Sequence, residues 1–142
     1  MIRQSKANAV WRGGLKDGKG TVSVDSGVLS STAYTFAQRF EAAKGTNPEE
    51  LVAAAHAGCF SMALSAELGK ANLVPESIDT KATLDFDMKE GKPTITKIHL
   101  DCVAKVPNAS ADVFNKIAQE AKAGCPISRL LNAEITLSAR LA

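Results

Sequence analysis

The chain contains no Cys-x-x-Cys pair, and it has only three cysteines in 142 residues, Cys59, Cys102 and Cys125. The missing motif argues against a thioredoxin-type redox site and against a ribbon-type zinc site. Three widely spaced cysteines also argue against a secreted disulfide framework, which needs an even number at close spacing. Histidine is scarce too, with His56 and His99 alone. His56-x-x-Cys59 on a helix would offer two metal ligands, whereas a structural zinc needs four and a catalytic zinc three. The formal net charge is only +2, and the basic residues are scattered rather than gathered into a stripe, so no nucleic-acid partner is expected. The longest apolar stretch, residues 51–66, is broken by His56, Ser61 and Ser65 and falls short of the ~18 residues of a membrane span. No apolar run stands behind Met1 to Lys6, so no secretory signal is expected either. With no repeat and no low-complexity segment, the expectation is a soluble, cytoplasmic protein that acts neither on membranes nor on nucleic acid.

What is present reads as one domain spanning residues 1–142, with ordinary proportions of 45% hydrophobic and 23% charged residues. Residues 7–11 lead through the Gly-rich turn 13–20 into residues 21–24, a hairpin by its turn chemistry. Residues 26–45 are less regular and read as a short strand and a loop. Asn47-Pro48-Glu49-Glu50 is a helix start: Asn47 as cap, Pro48 in the first position, and Glu50 three residues after the cap to complete a capping box. That helix runs to about Lys70 and is apolar almost all round as far as Leu64, so protein must surround it, and a second subunit is the natural cover.

Two long strands follow. Ile78, Ala82, Leu84, Phe86 and Met88 share one face of the first. Ile98, Leu100, Cys102, Ala104 and Val106 share a face of the second, with Glu90-Gly91-Lys92-Pro93 turning the chain between them. A helix from Ser110 to about Lys122 ends at Gly124, which is placed for a left-handed cap. Pro126 begins a short helical turn, and Ile135, Leu137, Ala139 and Leu141 alternate in a last strand.

Three cysteines invite three readings. Cys102 is in step with Leu100 and Ala104 and reads as a core residue. Cys125 lies between a helix-ending Gly and a Pro that opens a new turn, where outward-pointing N–H groups can stabilise a thiolate; the competing reading is apolar filler. Cys59 lies in the most apolar part of its helix, where burial favours the neutral thiol and the plain reading is core. If it reacts, it does so in an apolar site with a cationic partner and on an oily substrate, a combination that points to a thiol peroxidase. His56, three residues earlier on the same face, reads as a packed polar residue or a supporting donor. A Cys-His hydrolytic pair lacks any sign of an oxyanion hole or a third orienting group.

Several stretches together carry a resemblance that spans nearly the whole chain. They are Asn47-Pro48-Glu49-Glu50-Leu51, the run Ala54-Ala55-His56-Ala57-Gly58-Cys59-Phe60-Ser61-Met62-Ala63-Leu64, the segment Ala123-Gly124-Cys125-Pro126-Ile127-Ser128, Trp11, and Gly18-Lys19-Gly20-Thr21-Val22-Ser23. The sequence resembles the OsmC/Ohr family of bacterial thiol-dependent peroxidases, on its OsmC side. That resemblance implies an α+β fold in which antiparallel sheets wrap around central apolar helices in an intertwined homodimer. It implies reduction of organic hydroperoxides, with hydrogen peroxide a poorer substrate. It also implies Cys59 as the peroxidatic cysteine, Cys125 as the resolving cysteine, and Arg39 and Glu49 as the catalytic arginine and glutamate, with Arg12 a weaker alternative to Arg39.

On this reading Arg39 holds the Cys59 thiolate ionised, Glu49 orients the guanidinium, and the apolar helix with the aromatic residues around Cys59 suits alkyl or fatty-acid peroxides. No resident cofactor is implied, only an external dithiol reductant, for which the Ohr branch points to a lipoyl-type donor. Glu49 and Cys59 are separated by about 15 Å along a continuous helix at ~1.5 Å per residue. A compact cluster within one chain would therefore be strained, and the expectation is that Arg39 and Glu49 come from one subunit and Cys59 and Cys125 from the other. Two rival classes remain open at this stage, a non-enzymatic carrier with an apolar cavity and a structural dimer without small-molecule chemistry.

Overall fold

The computed structural model describes residues 1–142, in the order β1 (Ala7–Arg12), β2 (Lys19–Val24), β3 (Thr32–Tyr34), α1 (Phe36–Phe40), α2 (Pro48–Lys70), β4 (Ser77–Lys89), β5 (Lys92–Lys105), α3 (Ala111–Gly124), α4 (Pro126–Leu130) and β6 (Glu134–Leu141). It divides into two compact units, Met1–Leu51 and Val52–Ala142.

In the first unit β1, β2 and β3 form an antiparallel sheet in that order. Its register puts Trp11, Gly20 and Tyr34 in one row across the three strands. The two rings meet at 5.5 Å between centroids, and a Cβ at position 20 would lie only 2.6 Å from atoms of both. Any larger residue there would force the aromatic pair apart, which explains the glycine within a strand. The segment read as a loop after β3 contains the single-turn helix α1. Its signal was the i, i+4 pair Phe36 and Phe40, whose rings pack 4.8 Å apart, too short a pattern to stand out from sequence.

Of the expected start of α2 the Asn47 cap forms: the Glu50 N–H donates to Asn47 Oδ1 at 2.7 Å, while Asn47 Nδ2 donates to the Gln38 carbonyl at 3.0 Å and ties the cap to α1. By length and composition α2 would suffice to cross a membrane, being longer than the apolar run alone, with a mean hydropathy of 1.4. Phe60, Leu64 and Leu68 on its second-unit portion are nevertheless fully buried in a protein core, shared with Ile98, Leu100, Cys102 and Phe114.

The second unit holds β4, β5 and β6 in that order. The β4–β5 hairpin turns through Glu90 and Gly91, both with positive φ (51° and 77°), the combination whose twist matches the flanking strands. The inward alternation of β4 and β5 follows the expected faces, except that Met88 is exposed. Two expectations need correction. The sheet is mixed rather than wholly antiparallel, because β6 runs parallel to β5 from the pair Lys97 and Glu134 to the pair Ala104 and Leu141. The reason is topological: α3 and α4 form a crossover that carries the chain back to the starting end of β5. Nor does Gly124 form a left-handed cap. It remains helical, and α3 ends at Cys125, with φ −56° and ψ 130°, because Pro126 excludes the helical conformation from the residue before it.

Candidate active site

The strand-to-helix path of the first unit delivers Arg39 and Glu49 to one point. Arg39 occupies the only turn of α1, and Glu49 the first turn of α2. The Arg39 Nε and Nη2 groups donate to the same oxygen, Glu49 Oε1, at 2.9 and 2.8 Å. Glu49 is 8% exposed, and its second oxygen, Oε2, is buried with no hydrogen-bond partner. The Arg39 guanidinium also lies over the Phe40 ring at 5.4 Å. Beside it Trp11, Leu15, Tyr34, Phe36 and Phe40 line a hollow of about 220 Å³. Arg12, the weaker candidate, ends β1 opposite Lys19 and is exposed.

In the second unit the α3–α4 junction meets the middle of α2. Cys125 is fully buried between α3 and the short α4, and its thiol donates to Cys59 Sγ across 2.9 Å. Both sulfurs are free thiols, about 1 Å beyond disulfide bonding distance. Burial pushes the Cys59 thiol up, Cys125 adds to the rise, and the backbone N–H of Ile127 opposes it by donating to the Cys59 sulfur. Cys102 is fully buried on β5, as its periodicity predicts. Its thiol is also held high by burial, against a hydrogen bond from Thr80, whose own hydroxyl accepts from Ser61 at 2.8 Å. It is a core thiol.

His56 is fully buried and its Nε2 meets Ser128 Oγ at 2.7 Å. Burial holds its pKa below the ordinary histidine value, so the imidazole is neutral at pH 7 and supplies no cation to a neighbouring thiolate. His99 pairs with Thr136 across β5 and β6 at 2.6 Å. Of the four residues singled out from sequence, the fold thus brings Cys59 to Cys125 and Arg39 to Glu49, each pair within one unit. Two residues that the sequence reading named only within the resembling stretch and gave no role, Ile127 and Ser128, touch this chemistry. Ser128 stands three residues after Cys125 as His56 stands three before Cys59, a symmetry that becomes informative only once α4 is known to lie on α2.

A model of the OsmC-like protein family matches residues 41–140. The chain is 53% identical over 141 residues, 99% of both chains, to a protein of Escherichia coli (strain K12) named Peroxiredoxin OsmC. Among solved structures it is similar to an OsmC-like protein from Mycoplasma pneumoniae (TM-score 0.76, 16% identity, covering 100% of this chain and 99% of the other). It is also similar to the organic hydroperoxide resistance protein OhrB of Bacillus subtilis (TM-score 0.65, 24% identity, covering 96% and 98%). By sequence along its whole length, and by a fold shared with both solved structures, this chain belongs to the OsmC-like family.

Proposed function

We propose that Cys59 and Cys125 are the peroxidatic and resolving cysteines of a thiol-dependent peroxidase that reduces organic hydroperoxides, and hydrogen peroxide less well, to alcohol and water. The chain is a peroxidase by its 53% identity to Peroxiredoxin OsmC over 99% of both chains. The observation that carries the finer reading is the 2.9 Å approach of two free sulfurs whose residues lie 66 positions apart in sequence.

The Cys59 thiolate attacks the distal oxygen of the hydroperoxide, the O–O bond breaks, the alkoxide takes up a proton, and Cys59 is left as a sulfenic acid. The Cys125 thiol then attacks that sulfur. An S–S bond forms, the S–O bond breaks, and the thiol proton leaves with the hydroxyl as water. An external dithiol, of the lipoyl type in this proposal, reopens the disulfide by two exchanges and is itself oxidised.

The first step needs a thiolate, and burial works against one. With His56 neutral, the cation falls to Arg39, whose guanidinium Glu49 orients through a charge-assisted hydrogen bond. We assign Arg39 and Glu49 to one subunit of a homodimer and Cys59 and Cys125 to the other, each chain of residues 1–142 acting as a single functional domain. The aromatic hollow beside Arg39 suits the organic group of the peroxide better than the bare hydrogen of hydrogen peroxide.

The test is turnover of cumene hydroperoxide with a dithiol reductant. Wild type is expected to consume the peroxide catalytically and Cys59→Ser to show no turnover above the uncatalysed rate. Full activity in Cys59→Ser would end this proposal.

A further inference from the structure

Two side-chain contacts join the start of α4 to α2, beside the bond from the Ile127 N–H to the Cys59 sulfur, and they are arranged as two rungs. One is Cys125 Sγ to Cys59 Sγ at 2.9 Å, the other Ser128 Oγ to His56 Nε2 at 2.7 Å. Each pair of feet is three residues apart on its own segment, His56 and Cys59 on α2, Cys125 and Ser128 at the start of α4, so the rungs are separated by roughly one helical turn, about 4.5 Å. Bonds to the Cys59 sulfur alone, from Cys125 and the Ile127 N–H, would hold α4 to α2 at one point, a pivot beside the Cys125–Pro126 corner where α3 ends and the backbone is extended. A second rung removes that pivot.

We propose that His56 and Ser128 are positioning residues for the resolving step, clamping α4 so that the Cys125 sulfur stays on Cys59 after Cys59 has become a sulfenic acid. The inference rests on the assignment of Cys59 and Cys125 given above. The demand on the clamp is specific to that moment. Before oxidation, the thiol–thiol hydrogen bond itself holds Cys125 in place. Once Cys59 is oxidised its sulfur is no longer the same hydrogen-bond acceptor, so the first rung is disturbed while the second is not. His56 is a costly way to fill a core position, since it is fully buried and its Nδ1 has no hydrogen-bond partner. An apolar residue would pack there without that penalty. The Ser128 bond is the one polar contact that the buried ring makes through its other nitrogen.

The consequence is kinetic partition. A sulfenic acid that is resolved slowly meets a second peroxide and passes to sulfinic acid, which an external dithiol does not reduce. The clamp therefore protects the enzyme from inactivation by its own substrate.

The experiment follows both steps in single-turnover reactions of the full-length protein with cumene hydroperoxide. Sulfenic acid is trapped by dimedone at timed intervals, and the Cys59–Cys125 disulfide is read by intact mass and peptide mapping. Ser128→Ala is expected to form sulfenic acid at the wild-type rate but to close the disulfide about tenfold more slowly, the factor that loss of one buried hydrogen bond implies. Under excess peroxide it should accumulate chains about 32 Da heavier from sulfinic acid on Cys59. Ser128→Thr, which keeps the hydroxyl, should restore fast resolution, and His56→Leu, which removes the nitrogen that meets Ser128, should reproduce the split between steps if Ser128→Ala does not fold. Disulfide closure at the wild-type rate in Ser128→Ala, or equal slowing of both steps, would overturn the clamp while leaving the cysteine assignment intact. Absence of a Cys59–Cys125 disulfide in oxidised wild type would overturn both.

Discussion

Replacing Arg39 with Met removes a cation from a carboxylate that has little else to turn to. Glu49 receives two guanidinium N–H groups on Oε1, its other oxygen is buried without a partner, and its side chain is 10% exposed against 38% for Arg39. The two halves of the pair should therefore be unequal. Taking away the guanidinium leaves a buried carboxylate uncompensated; for a fully buried pair that costs about 3–5 kcal/mol, and the partial exposure of this one brings it to about 2–3 kcal/mol. Replacing Glu49 with Gln keeps an acceptor at the same place, and the half-open guanidinium can hydrate, so the loss is about 1 kcal/mol. In a double-mutant cycle with Arg39→Met and Glu49→Gln the coupling is expected at about 1–2 kcal/mol. Urea unfolding of the four proteins in one buffer measures all three quantities. A Glu49→Gln variant destabilised as much as Arg39→Met, or a coupling below about 0.5 kcal/mol, would refute the claim that Glu49 depends on Arg39 for its burial.

Other outcomes are equally definite. Cys125→Ser should perform one reduction and stop with a dimedone-reactive sulfenic acid on Cys59, whereas Cys102→Ser should turn over nearly as wild type; a Cys59–Cys102 bridge in oxidised protein would displace Cys125 as the resolving residue. Inactive Cys59→Ser and Arg39→Met chains, mixed and exchanged by mild denaturation, should regain activity in the roughly half of dimers that are mixed. Activity at the mutant baseline after verified exchange would show that the site is not shared between subunits. Because burial lowers the folded-state pKa of His56 below its ordinary 6.5, the unfolded chain takes up the proton first as pH falls. The stability associated with the neutral ring is thus complete above about pH 6.5 and is lost as the pH falls towards and through the folded-state value. Urea unfolding at pH 7.5 and 5.5 should show a larger loss for wild type than for His56→Gln, and equal losses would contradict the neutral buried ring.

The strands and the long helix were legible because their signals are local. The alternation in β4 and β5, the Asn47-Pro48 start of α2 and the Glu90-Gly91 turn each follow from a handful of adjacent residues. What escaped depends on neighbours distant in sequence. The alternation in β6 reveals a strand but carries no information on its direction, which the α3–α4 crossover sets. Gly124 looked like a cap because glycine tolerates positive φ, but the restriction that Pro126 places on Cys125 ends the helix one residue later. The site was legible in the same measure. Cys59, Cys125, Arg39 and Glu49 could be named from the resemblance, but periodicity alone made Cys59 a core residue. Ser128 lies in a stretch that carries the resemblance, but nothing gave it a role until the fold put it 2.7 Å from a histidine 72 positions away.

The central claim is that Cys59 and Cys125 form a redox pair, and intact-mass measurement before and after one equivalent of cumene hydroperoxide tests it most directly. The reduced chain should lose two hydrogens, about 2 Da, with peptide mapping placing the bond between Cys59 and Cys125, and a dithiol should restore the original mass. An unchanged mass, or a bridge that involves Cys102, would contradict the account.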